Sequence, residues 1–263
     1  MSEATPKHAA MGGLSSARPA LAIILGRAGS KGVPGKNAMP IAGTPCAAWT
    51  IAHALASETV GMVVLSSDDP RLMGLAREMG IVAVERSAEM ASDTATVDGA
   101  AREAVKGLEN TRGTHGLVSP CHGPIVILYA NVPVRPAGLV DRAVRRMLET
   151  GCDSVQSYAP VGKMHPWWTA RVDAESGRVR AWEGDVLNHG VYRRQDLPPA
   201  FVPDGGVLVV TRAALFGEIA GVETGPHAFF GADRRGVLNE EGAVVDIDSP
   251  VDVLVAEAIL KKT

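Results

Sequence analysis

The chain has 263 residues, 46% apolar and 21% charged, a size and balance that suit one large α/β domain with room for a small embedded lobe. Its formal net charge of −3 lacks the basic bias of a nucleic-acid binder, and no apolar run approaches the roughly 18 residues that span a bilayer. Three widely spaced cysteines, Cys46, Cys121 and Cys152, form no CxxC pair, which argues against a disulfide framework and for a reducing cytoplasm.

The first 19 residues, MSEATPKHAAMGGLSSARP, are small and polar and read as a disordered tail before a domain spanning 20–263. Apolar β-type runs follow at Leu21–Leu25, Met62–Leu65, Ile81–Val84, Ile125–Leu128, Ser154–Ser157, Val207–Thr211 and Ala243–Ile247. Helix-like stretches lie between them. CAAWTIAHALAS groups Trp49, Ile51, Ala52 and Leu55 at helical spacing; DPRLMGLAREMG starts on an acidic cap and stops at Gly80; PAGLVDRAVRRMLETG runs from Pro136 to Gly151. SPVDVLVAEAIL has Ser249 as N-cap, Pro250 at the first helical position and Asp252 in the first turn. Strands alternating with helices predict a three-layer, doubly wound α/β fold whose mostly parallel sheet is covered on both faces, with ligands at the carboxyl ends of the strands.

Pro160–Asp204 breaks the alternation and reads as an inserted lobe. It holds Trp167, Trp168 and Trp182, three of the four tryptophans. Such a cluster suits an interface or ligand wall, or equally a small satellite core.

The loop after the first run, GRAGSKGVPGKN (Gly26–Asn37), fails two familiar patterns. Gly26, Gly29 and Gly32 are spaced GxxGxxG, not GxGxxG. A P-loop would need glycine where Ser30 stands, and Ser or Thr where Asn37 stands. Its physics still favours polyphosphate, because glycines admit close backbone approach and Arg27, Lys31 and Lys36 add three positive charges. The competing reading is a solvated basic turn. Near the other end, Asp246 and Asp248 lie two apart in an expected strand, so their carboxylates converge on one face and suit Mg²⁺. The alternative has Asp248 helping Ser249 cap the final helix.

GRAGSKGVPGKN resembles the signature loop of the CMP-sialic acid synthetases (acylneuraminate cytidylyltransferases). LSSDDPRLMGLAREMG, ERSAEMASDTATV, RRQDLPPAFVPDGGVLVV and VVDIDSPVDVLVAEAIL resemble further blocks of that family, in order, from Leu21 to Leu260. The resemblance implies a nucleotide-diphospho-sugar transferase type of fold with a small dimerisation lobe at about 160–204, and a homodimer. It implies attack of a sugar hydroxyl on the α-phosphate of CTP, giving a CMP-sugar and pyrophosphate, with Mg²⁺ on Asp246 and Asp248. Arg27, Lys31 and Lys36 match catalytic phosphate-loop positions. Gly26, Gly29, Ser30, Asn37, Arg86, Ser92, Asp93 and Thr94 match nucleotide-side positions. Tyr129, Asn131, Arg135, Lys163, His165, Arg193 and Gln195 are the expected acceptor contacts.

The departures fall on the acceptor side. Where the family shows glutamine–proline–threonine–serine–proline–leucine–arginine, this chain has Tyr129–Ala130–Asn131–Val132–Pro133–Val134–Arg135. Lys163 replaces a frequent glutamate, and Asp204 a frequent asparagine. A changed hydrogen-bonding set changes discrimination. A sugar 1-phosphate acceptor with another nucleoside triphosphate is therefore the nearest rival, and a non-catalytic nucleotide-binding regulator the rival from another class. His115, Cys121 and His122 match no zinc spacing and read as a surface loop.

Overall fold

The computed structural model describes residues 19–29, 32–112 and 123–262. The expected tail, except Pro19, lies outside these residues, as do Ser30, Lys31 and the loop with His115, Cys121 and His122. In chain order the elements are β1 (Ala20–Leu25), β2 (Pro40–Ile41), β3 (Thr44–Pro45), α1 (Cys46–Leu55), β4 (Val60–Ser67), α2 (Pro70–Glu78), β5 (Val82–Glu85), α3 (Val97–Arg112) and β6 (Ile125–Tyr129). The second half adds α4 (Leu139–Thr150), β7 (Ser154–Pro160), β8 (Ala170–Val172), β9 (Val179–Ala181), β10 (Phe201–Val210), α5 (Arg212–Phe216), β11 (Arg234–Leu238) and α6 (Pro250–Leu260).

Seven strands form one sheet in the order β11-β7-β10-β6-β1-β4-β5, parallel except for β10, which runs against β6 and β7. The fold is the expected three-layer α/β arrangement. β1 shows why: Ala20, Ala22 and Ile24 pack toward α1, α2 and α4, while Leu21, Ile23 and Leu25 pack toward α3 and α5. A strand buried on both faces needs apolar side chains at every position. From β1 the chain winds outward through β4 and β5, then returns to place β6 on the other side. The crevice at the carboxyl ends of β1 and β6 is therefore the topological switch point, where open α/β sheets bind ligands.

The elements differ from expectation in four places. Ala243–Ile247 is not a strand; it makes a single bridge, Val134 to Val245. Val245 and Ile247 are buried while Asp246 between them is not, so the alternation imitates a strand although the partner is the turn after β6. The missing sheet position is filled by β11, whose arginines and glycine hide its edge-strand character. Helix α4 begins at Leu139, three residues after Pro136, because Gly138 adopts a left-handed φ of 68° at the N-cap. Helix α3 escaped the sequence reading because its buried stripe, Ala100, Ala101, Ala104, Val105 and Leu108, is mostly small residues.

The insertion leaves β7 and returns on β10, with β8 and β9 as a short hairpin between single helical turns. Trp167 stacks on His189 with centroids 4.7 Å apart, and Trp168 Nε1 donates to the Val191 carbonyl at 2.8 Å. Those two tryptophans build a satellite core. Trp182 is 56% exposed under the Arg171 guanidinium.

Beneath the sheet's amino edge, the buried Asp141 ties α4 to the turn before β4. Its Oδ1 accepts from Ser57 Oγ at 2.6 Å, Thr59 N at 3.0 Å and Thr59 Oγ1 at 2.8 Å. Burial alone would raise its pKa, but these hydrogen bonds outweigh burial and hold it below the ordinary aspartate value. The unfolded chain therefore takes up the proton first. The stabilisation is complete above the unfolded pKa and is lost as pH falls through the folded one. Asp141→Ala should cost about 2 kcal/mol in urea unfolding at pH 7, since it strands hydrogen-bond donors at a half-buried turn. The penalty should shrink toward pH 3; a pH-independent penalty would show that charge plays no part.

Candidate active site

The loop after β1 is held in shape by three neighbours. Ala28 N donates to Asp68 Oδ1 at 2.8 Å, Asn37 Nδ2 donates to the Arg27 carbonyl at 2.9 Å, and Gly26 N donates to the Ser66 carbonyl at 3.2 Å. Two glycines are required by space. A Cβ on Gly26 would sit 2.8 Å from Ala130 Cβ, and one on Gly32 would sit 2.3 Å from the Asp248 carbonyl oxygen. The second contact fastens the loop directly to the turn that carries the paired aspartates.

A cavity of about 420 Å³ opens at the switch point. Leu25 and Tyr129, the last residues of β1 and β6, form its floor with Arg86 and Asn37. Of the expected nucleotide-side residues, Arg27, Lys36, Asn37, Arg86, Ser92 and Asp93 line it, as do Tyr129, Asn131 and Asp248. Thr94 stands beside Ser92, their hydroxyls 3.2 Å apart. Arg27 Nη1 pairs with Asp93 Oδ1 at 2.7 Å across the mouth, and Lys36 Nζ pairs with Asp248 Oδ1 at 2.6 Å. Arg86 is buried and donates to the Ser66 carbonyl at 2.9 Å; burial lowers its pKa against the pull of Asp68 and Glu103. Its charge faces a cavity, so an anion there meets a cation already stripped of water.

Sequence reading missed the wall formed by Met90, Ala95 and the start of α3. Thr96 caps that helix, accepting from Gly99 N at 3.1 Å, and Val97 and Ala100 line the cavity. The positive end of a four-turn helix dipole thus adds to the cationic field. Thr96 followed by Asp98 was the signal available in the sequence.

Asp246 accepts from Asn131 Nδ2 through Oδ1. Burial first, and the Asp248 carboxylate second, push Asp246 up to about 6. Two carboxylates close enough to repel each other, one partly buried and one 72% exposed, form an all-oxygen donor pair. Such a pair fits a hard divalent cation that completes its shell with water and phosphate oxygens. Among the described residues, no group of three or more His, Cys, Asp or Glu side chains is placed to hold a metal.

The remaining acceptor-side residues do not line this cavity. Arg135 is buried below it and spends its donors on the Gly206 carbonyl at 2.7 Å, Thr50 Oγ1 at 2.8 Å, the Tyr129 carbonyl at 3.0 Å and the Val132 carbonyl. His165 is buried in the lobe, its ring nitrogens engaged by the Pro198 carbonyl and Trp167 N, each at 3.1 Å. Lys163 and Gln195 are exposed on the lobe, and Arg193 pairs with Asp196 at 2.6 Å. Asp204 is internal too, accepting from Ser157 Oγ at 2.5 Å, Gly206 N at 3.0 Å and Asn239 Nδ2 at 2.7 Å.

The cytidylyltransferase family profile matches residues 21–155, just over half the chain, and includes the loop, Arg86 and the β6 end. The chain belongs to the cytidylyltransferase family. It is a nucleotidyltransferase. This cytidylyltransferase is 26% identical over 243 residues, 92% of the chain and 96% of the relative, to the CMP-N,N'-diacetyllegionaminic acid synthase of Legionella pneumophila. It is 27% identical over 191 residues to the N-acylneuraminate cytidylyltransferase of Streptococcus agalactiae, covering 72% of the chain and 42% of that enzyme. Its fold matches that of CMP:2-keto-3-deoxy-manno-octonic acid synthetase complexed with CTP, at a TM-score of 0.63 and 16% identity, over 93% of this chain and 99% of the other.

Gly32→Ala tests the fastening between loop and aspartate turn. The clash is with backbone, so the loop must shift. CTP affinity should fall about tenfold or more, equivalent to about 1.4 kcal/mol. Isothermal titration checks this; wild-type affinity would show that the contact is not needed.

Proposed function

We propose that this cytidylyltransferase activates a sialic-acid-like sugar acid with CTP, with Mg²⁺, releasing a CMP-sugar and pyrophosphate. The observation that carries the substrate class is the similarity, over nearly the whole of both chains, to an enzyme that makes a CMP-activated nonulosonic acid. The Arg27, Lys36 and Arg86 cations around one cavity support the donor side. In the resting chain Arg27 and Lys36 rest on Asp93 and Asp248. A triphosphate entering the cavity would take over these cations, and charge developing on the α-phosphate and leaving pyrophosphate would meet positive groups fixed beforehand. Asp246 and Asp248 would hold Mg²⁺, which when bound supplies further charge neutralisation on the phosphates.

We propose a homodimer through the lobe. Met164, Val186, Leu187, Tyr192 and Phe201 are exposed by 45–85%, and exposed apolar area of this kind marks interaction surfaces. Lys163, Arg193 and Gln195 stand on this same lobe, so its docking would bring acceptor-side groups to a site. A cytoplasmic location accords with the buried free thiols of Cys46 and Cys152.

The test of substrate class is pyrophosphate release from CTP, UTP, GTP or ATP, against nonulosonic acids, 3-deoxy-octulosonic acid and sugar 1-phosphates. Turnover is expected with CTP and a nonulosonic acid. Turnover only with a sugar 1-phosphate would favour the rival acceptor, and CTP binding without turnover would favour a regulator.

Asp246 gives a second prediction. Its raised pKa means that the proton is held more tightly in the folded metal-free chain than in the unfolded one. Its ionisation therefore removes stability as pH rises through about 6. Asp246→Asn should raise the metal-free Tm at pH 8 and abolish the shift in Tm caused by adding Mg²⁺. In the wild type, Mg²⁺ affinity should fall steeply below about pH 6, because a ligating carboxylate must lose its proton. An Asp246→Asn variant that keeps a full Mg²⁺ response would remove Asp246 from the metal site.

A further inference from the structure

We propose that Asn131 acts as a positioning residue for the metal-ligating carboxylate of Asp246, and not as an acceptor contact; this rests on the reading of Asp246 and Asp248 as the metal pair. The side-chain nitrogen of Asn131 has two neighbours, Asp246 Oδ1 and the Ile247 carbonyl at 3.4 Å. Both are acceptors only, so the amide must present its NH₂ to them and its orientation is fixed by chemistry. The main chain repeats the contact: Ile247 N donates to the Asn131 carbonyl at 2.9 Å, and one step further Val245 N donates to the Val134 carbonyl at 3.2 Å. The aspartate turn is thus laid along the turn after β6, and Asn131 is the side chain that reaches across to the reactive group.

The consequence for Asp246 is a division of labour between its oxygens. Oδ1 is taken by the amide. Oδ2 faces Gly205, where even an added Cβ would be 3.8 Å away, and the left-handed φ of 74° there favours glycine. With Oδ1 committed to the amide, Oδ2 is the oxygen a cation would take. A neutral donor suits this place better than a cation would. Lysine or arginine at 131 would compete with the metal for the carboxylate, whereas an amide fixes the rotamer and leaves the charge available. Outer groups that hydrogen-bond a metal ligand in this way typically change metal affinity 10–100-fold when removed.

The experiment is Mn²⁺ titration of the full chain without nucleotide, read by electron paramagnetic resonance, for wild type, Asn131→Leu, Asn131→Ala, Asp246→Asn and Asp246→Asn combined with each Asn131 change. Unfolding midpoints in EDTA identify any variant that has failed to fold; the smaller Ala change backs up the near-isosteric Leu. Either Asn131 variant should bind Mn²⁺ about tenfold or more weakly and should leave the acceptor KM unchanged once Mn²⁺ is saturating. In the Asp246→Asn background the Asn131 change should cost nothing further. Wild-type Mn²⁺ affinity in folded Asn131 variants, or a raised acceptor KM at saturating metal, overturns the positioning role alone. An equal Mn²⁺ loss with and without Asp246 also overturns it, since Asn131 would then act independently. Failure of the wild type to bind Mn²⁺, or wild-type affinity in Asp246→Asn, overturns the metal reading and this inference with it.

Discussion

The arrangement of the site depends on one buried cation that does not itself line the cavity at the switch point. The Arg135 guanidinium collects the carbonyls of Tyr129 at the end of β6, Val132 in the following turn and Gly206 in β10, together with the hydroxyl of Thr50 on α1. Among the described residues, no carboxylate pairs with it directly. Burial pulls its pKa down to about 9, and Cys46, Asp246 and Asp204 act in the opposite direction. A desolvated charge is tolerated only when it is well hydrogen-bonded, and here three main-chain carbonyls and a hydroxyl take up its donors. The cation therefore defines the path of the chain after β6, and with it the ledge on which the 245–247 turn rests.

That ledge explains how the two ends of the chain meet. The glycine loop follows the first strand and the aspartates precede the last helix, yet Gly32 lies against the Asp248 carbonyl and Lys36 pairs with the Asp248 side chain. Ser249 and Asp252 form a capping box that starts the last helix immediately after the aspartates. The cations of the loop are thus not free charges on a flexible turn. Each described one rests on a carboxylate of another segment and is held in place before an anion arrives. Anion binding then exchanges one set of ion pairs for another, which limits the reorganisation that a highly charged transition state would otherwise demand.

The sheet was legible because a strand buried on both faces has little choice of residue: β1, β4 and β6 all appear as apolar runs. The loop's place at the switch point was legible because it directly follows the first apolar run. What escaped was where periodicity and tertiary context disagree. VVDID alternates like a strand, but its alternation is imposed by packing between α6 and the 131–134 turn. α3 is a real helix whose buried stripe is too small to announce itself. His165 and Arg135 carry the residue types of a binding site, yet their polar atoms are used up inside the protein. Residue type indicates capacity for contact, and only the fold decides whether the contact is spent internally.

The stretch Tyr129–Arg135 shows the same point at the level of specificity. In the sequence, its unusual residues read as a rebuilt acceptor pocket. In the structure, Arg135 faces inward, Asn131 faces Asp246, and Tyr129 alone presents a large side chain to the cavity, with its pKa raised by burial and by the nearby Asp246. Substitutions here are coupled to the aspartate turn by four hydrogen bonds, two of them main-chain. A change that alters acceptor preference through this segment must therefore also preserve the geometry of Asp246. The lobe differs: Lys163 and Gln195 are exposed there and Arg193 holds a surface partner, so substitutions at these positions are not tied to the aspartate turn in this way.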